Sequence, residues 1–152
     1  MCDNGFDKIM ELLCGKDNRA AYECVKKICA ASAISDEYYR HIDFFASLLS
    51  SEKTFVRTRG FILCCAQARW DTNGKIRDIF TSMLPLLNDE KPTAVRQCLA
   101  ALRNVVLFCP ELSEMIEEAV CGIDISRYRD SMAPLIKKDV DVILEMTKTE
   151  KK

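Results

Sequence analysis

The segment MLPLLNDEKPTAVRQCLAALRNVV, from Met83 to Val106, limits the possible folds more than any other stretch of this chain. From Ile76 onward the apolar residues fall at Ile76, Ile79, Phe80, Met83, Leu84 and Leu87, the i, i+3, i+4, i+7 spacing of one buried helix face. Pro85 lies off that stripe near its end, where it removes a hydrogen bond and bends the last turn. The turn Asn88-Asp89-Glu90-Lys91 follows. Pro92 then suits the first position of a second helix, because the first N–H groups of a helix have no intrahelical acceptor. Val95, Cys98, Leu99, Leu102, Val105, Val106 and Cys109 form the apolar face of that helix, and Pro110 ends it. Two helices joined by so short a turn pack as antiparallel neighbours.

The same arrangement occurs earlier. FFASLLSSEKTFVRTRGFILCCAQA carries Leu48-Leu49, a Ser/Glu/Lys turn and then Val56-Arg57. Val56 and Val95 are 39 positions apart, Lys53 and Lys91 are 38, so the later turn has gained one residue. A weaker copy opens the chain: Leu12-Leu13, the turn Gly15-Lys16-Asp17-Asn18, then Ala20-Ala21 leading into Cys24, Val25 and Ile28. The last part is helical but deviates, with Gly122 breaking one helix and Pro134 opening the next. A helical pair recurring at a period near 40 residues predicts an all-α chain, an α-α superhelix of HEAT or armadillo type. About four antiparallel pairs, near 5–34, 36–70, 74–109 and 111–147, fill one domain over 1–152. Each pair buries its apolar face against its neighbours, and atypical end pairs fit the role of caps.

MLPLLNDEKPTAVRQCLAAL resembles the HEAT-repeat consensus: a helix with a late proline, an acidic turn, Val-Arg and a run of small residues. The resemblance implies that the turn acid and the arginine bond between neighbouring repeats. Asp89 or Glu90, together with Arg57 and Arg96, would take those parts. The likeness is close over the two central pairs and loose over the outer two. The second pair lacks the late proline and has Ser50-Ser51-Glu52 where the family usually has an aspartate. WDTNGKI, NDEKPTAVRQC and YRDSMAPLIKKDVDVIL are similar to small bacterial HEAT-like proteins of unassigned function, often labelled SufBD-like. That label implies iron–sulfur cluster assembly, for which these residues offer no chemistry.

Composition narrows the function. A formal net charge of −1 argues against a nucleic-acid binder, which normally carries a basic excess for the phosphates. Basic residues are dispersed apart from Lys148, Lys151 and Lys152. The start, MCDNGFDKIMELL, has no signal-peptide pattern, and the apolar runs fall well short of a membrane span. A cytoplasmic protein is expected. Nine cysteines stand with a single histidine, His41, and no C-x-x-C pair. Most lie on apolar faces, where a reduced thiol packs as a small hydrophobe. No metal or cofactor is expected.

Several residues stand out. Arg59 falls among Phe55, Val56, Ile62, Leu63, Ala66 and Trp70, and an unpartnered buried guanidinium is costly. It therefore either extends to water or meets a carboxylate or anion, a structural acid from a neighbouring helix being favoured. Trp70 either seals the seam between two pairs or serves as an exposed anchor for a partner. Leu107 and Phe108 lie off the stripe centred on Leu102 and either pack on the next pair or form a sticky surface. Lys137-Lys138 reads as a solvated helix face. Cys64, Cys65, His41, Tyr38 and Tyr39 include the residue types of a nucleophile and base, without a local catalytic motif.

The function these residues support best is a non-enzymatic interaction module, with no catalytic residue. Its second helices would present a concave surface to a protein or peptide partner. Gln97, Arg103, Asn104 and Trp70 are the candidate contact residues. A monomer or weak dimer is expected. The alternatives are a HEAT-like DNA-binding or DNA-repair enzyme, weakened by the charge balance, and a cysteine-based redox or metal role.

Overall fold

A computed structural model describes residues 4–150, so Cys2, Lys151 and Lys152 lie outside the described residues. The chain is all-helical there, without a strand. Helix α1 (Asn4–Cys14) turns through Gly15 to Asp17 into α2 (Asn18–Ser32), whose start is fixed by the Asp17 carboxylate accepting from the Ala20 N–H at 3.0 Å. The short α3 (Ile42–Ser47) tightens into a 3-10 turn over Leu48–Ser50 before α4 (Thr54–Ala66) and a second 3-10 turn, Ala68–Trp70. Helix α5 (Lys75–Met83) and α6 (Pro92–Phe108) follow, then α7 (Ser113–Cys121) and α8 (Ala133–Glu150). Two α-helices fall in each of the four intervals read from the sequence, to within a few residues at the ends.

The prolines act where the pattern places them. At Pro85 the helix converts to a 3-10 turn, Leu84–Asn88, because the ring removes the N–H that an α-turn would use. Pro92 is the first residue of α6. Asp71 starts α5: its carboxylate accepts from the N–H groups of Lys75 (2.9 Å) and Ile76 (3.1 Å). Gly74 supplies the left-handed residue of that turn at φ 71°.

Within the pairs, α1 packs on α2, α3 on α4 and α7 on α8. Between them, α2 packs on α4, α4 on α6 and α6 on α8. The second helices thus form one continuous succession. Phe45, Phe61, Leu63, Ile76, Phe80, Met83, Leu99 and Leu102 are fully buried where these contacts meet. One close approach has no counterpart in the third pair. A Cβ built on Gly60 of α4 would meet Leu48 Cβ at 2.7 Å and the Phe45 carbonyl oxygen at 2.8 Å, so α3 lies almost on the α4 backbone. The residue 39 positions on is Leu99, and there the 3-10 turn after α5, rather than α5 itself, makes the main contact with α6.

Side-chain bonds tie pair to pair. Arg57 of α4 reaches Asp89, with Nη2 2.8 Å from Oδ2, and also donates to the carbonyls of Ser51 and Glu52. Arg96 of α6 reaches Asp139 of α8 at 2.7 and 3.3 Å. The Asn88–Lys91 turn is held from the other side by Arg127, donating to the Asn88 carbonyl (2.7 Å), and by the Tyr128 hydroxyl, donating to the Asp89 carbonyl (2.6 Å). Glu90 is exposed and takes no part in these contacts. No helix among the described residues is long and apolar enough to cross a membrane.

Candidate functional site

The face built by α2, α4 and α6 carries two depressions, each of about 240 Å³. One lies by the N-terminal half of α4, among Asn18, Tyr22, Thr58, Arg59 and Gln97. The other lies towards its C-terminal end, among Ser32, Ala66, Arg69, Asn104 and Phe108. Ile62 is a wall of both, so together they make one trough running along α4.

Three of the chain's exposed large apolar side chains belong to this trough: Tyr22, Phe55 and Phe108. Each carries a cation over its ring. Lys26 lies 5.2 Å from the Tyr22 centroid, Lys91 5.3 Å from that of Phe55, and Arg69 4.8 Å from that of Phe108. Among the described residues lining the trough, Arg59 and Arg69 bring the only formal charges.

Arg59 is buried, and the expected acidic partner is not what it meets. Its Nη1 donates to the carbonyls of Leu13 (2.8 Å) and Gly15 (3.1 Å), and Nη2 to the Asn18 side-chain oxygen (2.9 Å). The acceptors are the free carbonyls at the end of α1, which a guanidinium satisfies while matching the negative end of the helix. Burial lowers the pKa of this group from its ordinary value, and the nearby Cys14 and Cys24 sulfurs oppose that shift. Arg69 does the same for α2, donating to the Ala33 carbonyl at 2.7 Å.

Of the contact residues suggested by sequence, Gln97 lines one depression and Asn104 the other, so α6 brings them to the trough from opposite ends. Asn104 also donates to the Cys65 carbonyl at 3.4 Å. Arg103 is exposed on α6 outside both depressions. Trp70 is half-buried, its indole N–H donating to the Ser32 carbonyl at 2.6 Å, so it seals α2 against the end of α4. Phe108 is at the trough and Leu107 is exposed beside α8 with Val142 and Met146. Sequence reasoning passed over Tyr22 and Arg69 and treated Phe55 only as a neighbour of Arg59. Their signal is an aromatic off the apolar stripe of a second helix, or an arginine in the turn just after it.

The residues with the side-chain types of a nucleophile and base do not converge. His41 lines a separate cleft with Phe6, Ile9, Tyr38 and Tyr39, and its ring stacks on Phe6 at 3.5 Å. The Tyr39 hydroxyl donates to Asp71 at 2.6 Å. Cys64 and Cys65 are fully buried in the core, away from that cleft. Burial pushes the Cys64 thiol up to about 12 and the Cys65 thiol well above its ordinary value, so neither is a ready thiolate. Among the described residues no group of three or more His, Cys, Asp or Glu side chains is placed to hold a metal ion.

No family model, curated protein or solved structure matches this chain.

Proposed function

We propose that this chain is a HEAT-like helical-repeat module without catalytic activity, which binds a protein or peptide through the concave side of its second helices. The observation that carries this reading is the trough along α4, where Tyr22, Phe55 and Phe108 stay exposed beside aliphatic and alanine side chains. Solvent-facing aromatics gathered in one concavity are a cost to a free protein that a bound partner removes. The unbroken packing of α2 on α4, α4 on α6 and α6 on α8 supports a superhelical stack, and the Arg57–Asp89 and Arg96–Asp139 pairs fit its inter-repeat ladder. The protein works as a monomer or weak dimer in the cytoplasm.

The test is affinity capture from native cell extract with four baits: wild type, Phe108→Ala, Arg103→Glu with Asn104→Ala, and Lys137→Glu on the exposed side of α8. A partner retained by wild type and Lys137→Glu but lost with Phe108→Ala supports the trough. A partner lost only with Lys137→Glu refutes the assigned face.

A further inference from the structure

The trough has a charge pattern as well as a shape. Arg59 bonds Asn18 at the start of α2 and Arg69 bonds Ala33 at its end, so their guanidinium groups lie about 22 Å apart, the length of that helix. Arg59 bonds only carbonyl and amide oxygens, through three of its five N–H donors. Arg69 bonds a carbonyl and lies on the Phe108 ring. Neither cation has a carboxylate partner among the described residues, although this chain has more acidic than basic residues. Lys91 adds positive charge at the rim, whereas Lys26 is paired with Glu23 at 3.8 Å.

Between the two arginines the floor is apolar and low. Ile62 lines both depressions, and Ala66, Ala100 and Ala101 line the one that holds Arg69. Small side chains let another backbone approach closely, which favours a helix lying lengthwise over α4. Single-stranded nucleic acid fits less well. Its phosphates recur at every nucleotide and call for a continuous basic track, whereas this trough offers a cation at each end and aliphatic carbon between them.

Resting on the interaction reading above, we infer that the trough takes an acidic amphipathic helix of a partner protein. Its carboxylates pair with Arg59 and Arg69, and its apolar face lies on Ile62 and the alanines. The spacing sets the sequence. A helix rises about 1.5 Å per residue, so the two carboxylates stand about four turns apart on one face with apolar residues at the turns between them. Tyr22, Phe55 and Phe108 form the walls that exclude water from the paired charges, which strengthens them.

The experiment is selection from a phage-displayed library of random peptides about 20 residues long, enough for five helical turns. The purified full chain is the bait, and the selected peptides are measured by anisotropy against wild type and variants. We expect the enriched peptides to be acidic and apolar, with Asp or Glu about four turns apart. Their binding weakens with salt and falls about tenfold or more in Arg69→Gln and in Phe108→Ala, as for an interface anchor. Both substitutions are at exposed positions, and circular dichroism verifies that the variants remain folded. Neutral or basic peptides that lose binding in Phe108→Ala overturn the acidic helix but leave the interaction reading standing. Selection of no peptide that depends on Phe108 overturns both. Tighter binding of an oligothymidylate than of any selected peptide overturns both in favour of nucleic acid.

Discussion

Gly60→Ala separates two arguments that predict opposite signs. Position 60 lies inside α4, and an alanine in a helix interior is about 1 kcal/mol more favourable than glycine by intrinsic propensity. Propensity alone therefore predicts a more stable protein. The structure predicts the reverse. The new methyl carbon would lie 2.7 Å from Leu48 Cβ and 2.8 Å from the Phe45 carbonyl oxygen, with the Leu49 nitrogen at 3.3 Å. None of these atoms is the free end of a flexible side chain, so α3 and its 3-10 turn must move as a unit. Overpacking of this kind costs about 1–3 kcal/mol, and two contacts this short belong in the upper part of that range. After the propensity gain, a net loss of about 1–2 kcal/mol remains. For a domain of this size that lowers Tm by about 2–8 °C. Thermal unfolding followed by circular dichroism at 222 nm measures it. An unchanged or higher Tm would refute the claim that α3 is seated on the glycine.

Four further outcomes rest on side-chain contacts and on the burial of the thiols. Arg59→Met keeps the aliphatic stem but strands the Leu13 and Gly15 carbonyls, so urea unfolding should show a loss of about 2–4 kcal/mol. Arg59→Lys should recover only part of it, since one ammonium does not reproduce the planar fork, and full recovery would count against that role. A double-mutant cycle on Arg57→Ala and Asp89→Ala should give a coupling of about 1–2 kcal/mol for this half-buried pair, and additive losses would remove the pair from the joint. With Cys2→Ser as background, Ellman's reagent should titrate Cys14 and Cys121 quickly and Cys64, Cys65 and Cys98 only on unfolding. The folded chain raises Cys29 to about 11 and Cys64 to about 12 from an ordinary 9.0, so it holds protons that the unfolded chain releases. The contribution of these thiols to stability is whole below pH 9.0 and is lost as pH rises through 11–12. A urea midpoint that rises above pH 9.0 would contradict this sign.

Local chemistry explains which features the sequence revealed. Helical periodicity, Pro92 at a helix start and the conversion at Pro85 are decided within a few residues, so they can be read along the chain. Arg57 was legible because a turn followed by Val-Arg occurs there and again at Val95-Arg96. Gly60 was not, since inside a helical pattern a glycine reads only as a weak helix former, and its purpose depends on a neighbouring backbone. The partner of Arg59 was hidden for a different reason. Periodicity places the guanidinium on the buried side, but its acceptors are main-chain carbonyls 46 and 44 residues earlier, and carbonyls carry no residue identity. The trough was half visible: Gln97, Asn104 and Phe108 fall off the apolar stripe, while Tyr22 and Phe55 gain meaning only when α2 and α6 flank α4.

The attachment of the first pair connects the fold to the trough. Four long side chains at α4 and its 3-10 extension point back at α1 and α2. Arg59 takes the last carbonyls of α1, Trp70 and Arg69 take the Ser32 and Ala33 carbonyls at the end of α2, and Gln67 donates to the Ser32 hydroxyl at 2.9 Å. Both helices of the first pair are thus capped at their C-terminal ends by donors from the second pair. Those carbonyls otherwise need water or a local turn, so undocking the first pair leaves them without these partners. The two arginines that cap are also the two cations of the trough. An acidic ligand paired with them would strengthen the clamp that holds the first pair, since a ligand that binds only the docked form stabilises it by mass action. Slower amide exchange at the start of α2, not only along α4, should therefore accompany binding of an acidic helix. Protection confined to α4 would mean that the charges read the ligand without coupling it to the docking of the first pair.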